Sequence, residues 1–168
     1  MPYDCRAVAN AILDLGDELH LRLTHMAVHK IAYYAHGWHL ARTNVPLIRQ
    51  EFEAWKDGPV QRLVWDCFKA SGSSPIEDRA THFDLVSRRV TVVREEIAAA
   101  DLRFIREIII GYGHLHAFEL SEMTHEKGGP WDRVWNAPGG RITLGMRIQH
   151  ELIRDHFIDR AGRGRIAS

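Results

Sequence analysis

The chain has 168 residues, of which 45% are hydrophobic and 26% charged, and its 22 Lys and Arg residues balance its 22 Asp and Glu residues. This composition excludes an intrinsically disordered chain, and it lacks the basic excess with which proteins hold nucleic acid through phosphates. Single domains commonly contain about 100–200 residues, so the length predicts one domain with a core of its own.

The cellular location is predicted from what the sequence lacks. Cys5 and Cys67 show no CxxC spacing, so we expect two free thiols in a reducing compartment. The amino terminus has no signal-peptide pattern, and no segment approaches the ~20 apolar residues of a membrane span. We therefore expect a cytoplasmic protein that does not associate with a membrane.

The first two predicted elements are helices with polar N-caps. Asp4 precedes an apolar face that recurs at helical spacing until Gly16, and Thr24 precedes a longer pattern that ends near Arg42. The apolar stripe of this second helix comprises Ala27, Ile31, Tyr34, Trp38 and Ala41. We expect both helices to pack in the core.

The middle of the chain predicts one helix and one hairpin. Pro59 suits the first position of a helix over residues 60–70, because proline fixes its own φ and lacks an amide hydrogen. A loop follows at 71–75. The β-branched residues around Ser87 predict a short β-hairpin at residues 83–93.

The last part of the chain again shows helical spacing. Helices are predicted over residues 98–112 and 117–125, and Thr143 begins a final helix in which Ile148, Leu152, Ile153 and Phe157 share a face. The predicted fold is therefore mainly α, a compact single-domain helical bundle with one short β-hairpin around residues 83–93.

Histidine is abundant, with eleven residues, and four of these follow one face of the second predicted helix. They lie within roughly 80° of one another on a helical projection and are His25, His29, His36 and His39. An i, i+4 pair such as His25 and His29 has zinc-binding spacing, which leaves a His-rich metal-binding enzyme as one alternative. No glutamate completes an HExxH motif, so a polar helix face is the preferred interpretation and no metal ligand is assigned.

Other catalytic motifs are absent from the sequence. It contains no GxSxG nucleophile elbow, no GK[ST] phosphate loop and no GxGxxG after a predicted strand. We therefore assign no catalytic residue and no cofactor, and expect a protein that is not an enzyme.

Three stretches in order resemble one known family. They are residues 29–40 (HKIAYYAHGWHL), residues 51–60 (EFEAWKDGPV) after Pro46-Leu47, and residues 120–125 (LSEMTH) followed by Pro130-Trp131. Together they resemble the Panacea antitoxin domain of SocA-like and phage-associated GepA-like proteins. The resemblance implies such a domain at residues 4–158, and the remaining residues 159–168 are predicted to be a flexible basic tail.

The resemblance also implies a function in a toxin–antitoxin system. A protein of this kind neutralises a cognate toxin protein by direct contact, and the alternative is an adaptor that delivers the toxin to the ClpXP protease. The oligomeric state stays open. The motif residues taken as candidates for partner binding are Lys30, Tyr33, Trp55, Asp57, Thr124, His125 and Trp131.

The same motif residues are also expected to have structural roles. Trp55 is expected beside a helix start that Asp57 caps, and Thr124 and His125 are expected to tie Trp131 to the body of the protein through hydrogen bonds.

Overall fold

A computed structural model describes residues 1–138 and 144–166 of the chain. The helices are α1 (Cys5–Glu18), α2 (His25–Thr43), α3 (Arg62–Phe68), α4 (Ala99–Tyr112), α5 (Ala117–Thr124), α6 (Pro130–Trp135) and α7 (His150–Ile166). The strands are β1 (Phe52–Trp55), β2 (Gly58–Val60), β3 (Thr81–Asp84), β4 (Arg89–Val92) and β5 (Arg147–Ile148). The prediction of a mainly α fold is confirmed.

Helix α2 is the central element of the core. Most of its length is buried, and it packs against α1, α4, α5 and α7. The Thr24 hydroxyl accepts a hydrogen bond from the Ala27 amide at 3.3 Å, which satisfies one of the free amides at the helix start. A helix buried on nearly every side brings its polar residues into the interior as well.

The capping prediction for α1 is also confirmed. The Asp4 carboxylate accepts from the Arg6 amide at 2.8 Å, and the Arg6 guanidinium donates to the same group at 3.0 Å. These hydrogen bonds from Arg6, together with its positive charge, lower the pKa of Asp4 although burial of the carboxylate opposes them.

Residues 52–60 form a β-hairpin that was not predicted from the sequence. Strands β1 and β2 pair antiparallel, with Trp55 opposite Gly58, and β5 pairs with the other edge of β1. The prediction of a helix from Val60 was therefore wrong at its start, since α3 begins at Arg62. Pro59 lies in the edge strand β2, a position where a sheet tolerates a residue without an amide hydrogen.

The second hairpin agrees with its prediction. Strands β3 and β4 pair antiparallel with Phe83 opposite Val90. The base of this hairpin is held by the buried Asn10 side chain, whose amide nitrogen donates to the carbonyls of Ala80 at 3.0 Å and Val93 at 2.9 Å. The Asn10 side-chain oxygen accepts from the Ala80 amide at 2.7 Å, so α1 fixes both arms of the hairpin.

The carboxyl-terminal helix differs from its prediction at both ends. Thr143, the predicted start, lies outside the described residues, and Ile148 belongs to β5, so α7 begins only at His150. Residues 159–166, assigned to a flexible tail, continue α7. Arg160 and Arg163 lie 3.8 and 3.9 Å from the Glu126 carboxylate, and these ion pairs accompany the longer helix. The domain boundary at residue 158 stays a prediction.

Candidate functional site

Lys30 is a lysine in the interior of the protein. Its side chain is 1% exposed, and its Nζ donates to the carbonyl of Pro59 at 3.0 Å. Burial lowers the pKa of Lys30 to about 7, and the negative charge of Asp57 opposes part of that shift. An amine in this setting exists in both protonation states near neutral pH.

Gly58 allows the β1–β2 hairpin to approach Lys30. Its φ is +106°, a value that residues with a Cβ rarely adopt. A Cβ at this position would run into the Thr124 hydroxyl and lie 2.9 Å from Cε of Lys30. The Gly-Pro-Val motif therefore provides a close contact between the hairpin, α2 and α5.

Helix α5 fastens the turn of the same hairpin. The Ser121 hydroxyl donates to the carbonyl of Asp57, and the Thr124 hydroxyl donates to the carbonyl of Ser121 at 2.6 Å. The Asp57 side chain is exposed and does not cap α3. The N-cap residue of α3 is Gln61, whose side chain donates to the carbonyl of Gln50 at 3.0 Å instead of capping the helix. The capping role predicted for Asp57 was therefore wrong, because the turn lies one strand before the helix.

Trp131 ties α6 to the hairpin. Its indole Nε1 donates to the carbonyl of Trp55 at 2.7 Å, and its ring stacks on that of His125 with centroids 4.0 Å apart. The predicted link is present, but its hydrogen bond comes from Trp131 itself. His125 contributes a ring face, and Thr124 bonds within α5.

Trp55 lies half-buried at the edge of this cluster. Its indole Nε1 donates to the Glu53 carboxylate at 2.8 Å, and its ring meets that of Trp65 edge-on at 5.1 Å. The guanidinium of Arg62 lies 5.1 Å from the centroid of the Trp55 ring and forms an ion pair with Glu53 at 2.8 Å. Cation–π contacts of this kind hold an aromatic ring in place at a surface.

The structure thus brings six of the seven candidate residues together around the β1–β2 hairpin, and Tyr33 is the exception. Tyr33 is buried in the core, where its ring lies edge-on to Phe52 at 5.4 Å and to Phe157 at 5.7 Å. Burial raises the pKa of its hydroxyl strongly. Tyr33 is therefore a packing residue of α2.

The histidines of α2 do not form one site. The four predicted to share a face are His25, His29, His36 and His39. The first two have ring centroids 6.0 Å apart, whereas His36 bonds to His150 at 2.9 Å and His39 lies 3.3 Å from Asp101. Within residues 1–138 and 144–166, no group of three or more His, Cys, Asp or Glu side chains could hold a metal ion.

An apolar surface on the β3–β4 hairpin was not anticipated from the sequence. Leu85 and Val86, at its tip, are 81% and 95% exposed. Strand residues Phe83, Val90 and Val92 are also exposed. We call these five residues the hairpin patch. In the sequence, the adjacent apolar residues Leu85 and Val86 were the one sign of this surface. The alternation of apolar and polar residues in the hairpin is imperfect and does not reveal which face of the strands is covered.

The tip of this hairpin is held in a defined turn. The Asp84 carboxylate accepts from the Val86 amide at 3.0 Å and from the Ser87 hydroxyl at 2.6 Å, and these bonds lower the pKa of Asp84. Because side-chain and backbone hydrogen bonds fix the turn, Leu85 and Val86 project from an ordered support.

No helix in the described part of the chain is long and apolar enough to cross a membrane. The family described as "Antitoxin SocA-like, Panacea domain" matches residues 28–132, which include the β1–β2 hairpin, the β3–β4 hairpin and α5. The protein named "Antitoxin SocA" from Caulobacter vibrioides (strain NA1000 / CB15N) is 37% identical over 154 residues, covering 92% of this chain and 82% of that protein. No solved structure gives a significant match. The chain therefore belongs to the SocA-like antitoxin family with a Panacea domain.

Proposed function

We propose that this protein is an antitoxin that neutralises a cognate toxin by direct binding in the cytoplasm, without catalysing a reaction. The observation that carries the proposal is the hairpin patch, an ordered and exposed apolar surface on a member of an antitoxin family. Exposed apolar patches on folded proteins commonly mark contact sites for other proteins.

The hairpin patch has the chemistry of a protein contact. Phe83 and Val90 lie opposite each other across the two strands, and Leu85 and Val86 extend the apolar surface beyond them. Within the described residues, the outer edges of β3 and β4 pair with no other strand. Such an edge can accept an extended segment of a partner through main-chain hydrogen bonds, while the apolar side chains select it.

The candidate residues around the β1–β2 hairpin divide by exposure. Asp57 is exposed, Trp55 and His125 are half-exposed, and these three stay proposed contacts with the toxin. The remaining candidates are buried, namely Lys30, Tyr33, Thr124 and Trp131. We propose that these four support binding through the fold rather than by contact.

Co-expression with the product of the adjacent gene tests the function directly. We expect that product to arrest growth when expressed alone and growth to recover when this protein is present. The two proteins should also co-purify. A harmless neighbour, or a toxic one that this protein does not neutralise, would refute the proposal.

The manner of neutralisation is tested separately. Direct binding predicts that purified protein inhibits the toxin with no protease present. Delivery to ClpXP would instead require a second contact surface and would appear as faster toxin degradation when this protein is added to purified ClpXP. Inhibition that occurs only with the protease would replace simple binding by the adaptor mechanism.

A further inference from the structure

A small cavity lies between α2, α3 and the turn of the β1–β2 hairpin. Its volume is about 130 Å³, close to the ~150 Å³ of an engineered apolar cavity that binds benzene. Its walls include Met26, Trp55 and Trp65, and its polar lining includes His29 and Lys30. The space therefore fits a short apolar group with a polar end.

His29 presents an unused hydrogen-bond donor. The ring is buried, and burial holds its pKa well below the ordinary value, so it is neutral. Its Nδ1 accepts from the Gln61 amide at 3.2 Å, which places the ring hydrogen on Nε2. Nε2 has no partner within residues 1–138 and 144–166. A buried donor without an acceptor is destabilising, and a ligand oxygen would relieve that cost.

Lys30 adds hydrogen-bond donors that carry a positive charge. An ammonium group has three hydrogens, and in the described residues only the carbonyl of Pro59 accepts from Nζ. Two hydrogens of Lys30 are therefore left for an acceptor. Because a charged donor in a buried setting bonds most strongly to an anion, the lining of the cavity favours a carboxylate over a neutral carbonyl.

Three other titratable side chains line the cavity, and they are His25, Lys56 and Asp57. Lys56 and Asp57 are exposed and carry opposite charges, so they nearly cancel. Burial and the charge of Lys30 lower the pKa of His25. The net charge of the cavity lining is therefore set by Lys30 and is positive when Lys30 is protonated.

We propose that this cavity binds a carboxylate carried on a short apolar stem, with Lys30 and His29 as the donors and the two tryptophan rings as the walls. The cavity shares no residue with the hairpin patch, but its lining includes Trp55 and Asp57, which are also proposed toxin contacts. Such a group occurs on a free organic acid and at the carboxyl terminus of a polypeptide.

Titration of the full chain with phenylacetate tests the site at pH 6.5, with the indole N–H signals of Trp55 and Trp65 followed by NMR. We expect both signals to shift and to saturate. The neutral analogue phenylacetamide has the same shape and should bind at least about tenfold more weakly, because it cannot form the charge-assisted hydrogen bond. Equal affinity for the two probes would overturn the proposal.

Two matched lysine variants separate the buried donor from the surrounding charge. Lys30→Met keeps a similar volume and should weaken phenylacetate binding at least about tenfold, whereas Lys56→Met removes an exposed charge and should change it less than about threefold. The dispersion of the amide spectrum shows whether each variant is folded. Unchanged binding in a folded Lys30→Met variant would also overturn the proposal.

A second ligand identifies the source of the carboxylate. Acetyl-Gly-Phe with a free carboxyl terminus carries a phenyl ring and a carboxylate on a peptide chain. Binding of both ligands supports a polypeptide terminus as the occupant, and binding of phenylacetate alone supports a small organic acid. Failure of both to shift the tryptophan signals would show that the cavity is not a carboxylate site.

Discussion

Lys30 is a residue whose burial moves its pKa far below the ordinary value. The unfolded chain keeps the Lys30 proton up to about its usual pKa of 10.5, whereas the folded protein loses it near 7. Between these values the unfolded state binds more protons, so stability from this group rises with pH. We expect a gain of about 2 kcal/mol from pH 7 to 9 that is missing in Lys30→Met.

Urea unfolding at pH 7, 8 and 9 measures this difference. The matched control is Lys56→Met, which removes an exposed lysine in the turn between β1 and β2. It should keep the wild-type dependence of stability on pH. Burial raises the pKa of the Cys5 thiol from 9.0 to about 12, so this group titrates near this range only in the unfolded chain and contributes equally to all three proteins. A Lys30→Met variant with the wild-type slope would show that Lys30 is not the group responsible.

Gly58 is a second residue that the fold constrains, because its position requires a positive φ and leaves no room for a Cβ. Gly58→Ala adds a Cβ at a φ of +106° and drives it into Lys30 and Thr124. We expect a loss of about 3 kcal/mol in the free energy of unfolding from backbone strain and overpacking together. Gly72→Ala is the control, because Gly72 also has a positive φ but no atom of the described residues lies within 4 Å of the added Cβ. An equal loss of unfolding free energy in both variants would show that the close contact with Lys30 and Thr124 does not contribute.

At the scale of elements, one side chain of α1 supports the β3–β4 hairpin. Asn10→Ala removes three hydrogen bonds with the backbone of Ala80 and Val93 and leaves buried groups without partners. We expect a loss of about 3 kcal/mol and a larger acceleration of hydrogen exchange at the Val93 amide, which donates to the Ala80 carbonyl at 2.9 Å, than elsewhere in the protein. Uniform acceleration of exchange would instead indicate that the hairpin unfolds only with the whole domain.

The elements that the sequence predicts well are those with local signals. Asp4 and Thr24 cap α1 and α2 as expected, because a cap depends on the next three residues alone. The hairpin at residues 52–60 contains Pro59, where the sequence predicts a helix start, since proline is equally compatible with a helix start and an edge strand. Its place in β2 depends on β1, β5 and the distant Lys30, which no local pattern contains.

The candidate site divides in the same way. The resemblance selected residues that meet around the β1–β2 hairpin, so their proximity was predictable from the motif. Their burial was not, and neither was the hairpin patch, because exposure depends on which elements cover a face. Phe83, for example, lies in a strand whose sequence pattern is equally typical of a sheet with that face exposed and of a sheet with that face covered.

At the scale of the whole molecule, buried neutral histidines make stability sensitive to acid. Burial holds the pKa of His29 and His36 well below the ordinary value of 6.5. The unfolded chain therefore takes up protons below 6.5 that the folded protein does not, and stability falls as the pH is lowered from 7 to 5. This window lies above the ordinary Asp pKa of 3.8, so the lowered pKa of Asp4 adds its effect only at lower pH.

The pair between α2 and α7 shows why His36 resists protonation. Its Nδ1 accepts from the Ile48 amide at 3.2 Å, so its Nε2 hydrogen donates to Nδ1 of His150 at 2.9 Å. Guanidinium unfolding at pH 7 and pH 5 should show a smaller pH-dependent loss in His36→Gln than in the wild type. An equal loss in both proteins would assign the effect to other groups.

The central claim is that the hairpin patch binds the toxin, and calorimetric titration of purified toxin into this protein measures it most directly. The double variant Leu85→Asp/Val86→Asp should bind about thirtyfold more weakly or worse, because buried apolar contacts at an interface centre cost about 2 kcal/mol or more when removed. Ile110→Asp alters another exposed apolar residue, on α4, and should bind like the wild type. Wild-type affinity in the hairpin variant would contradict the claim.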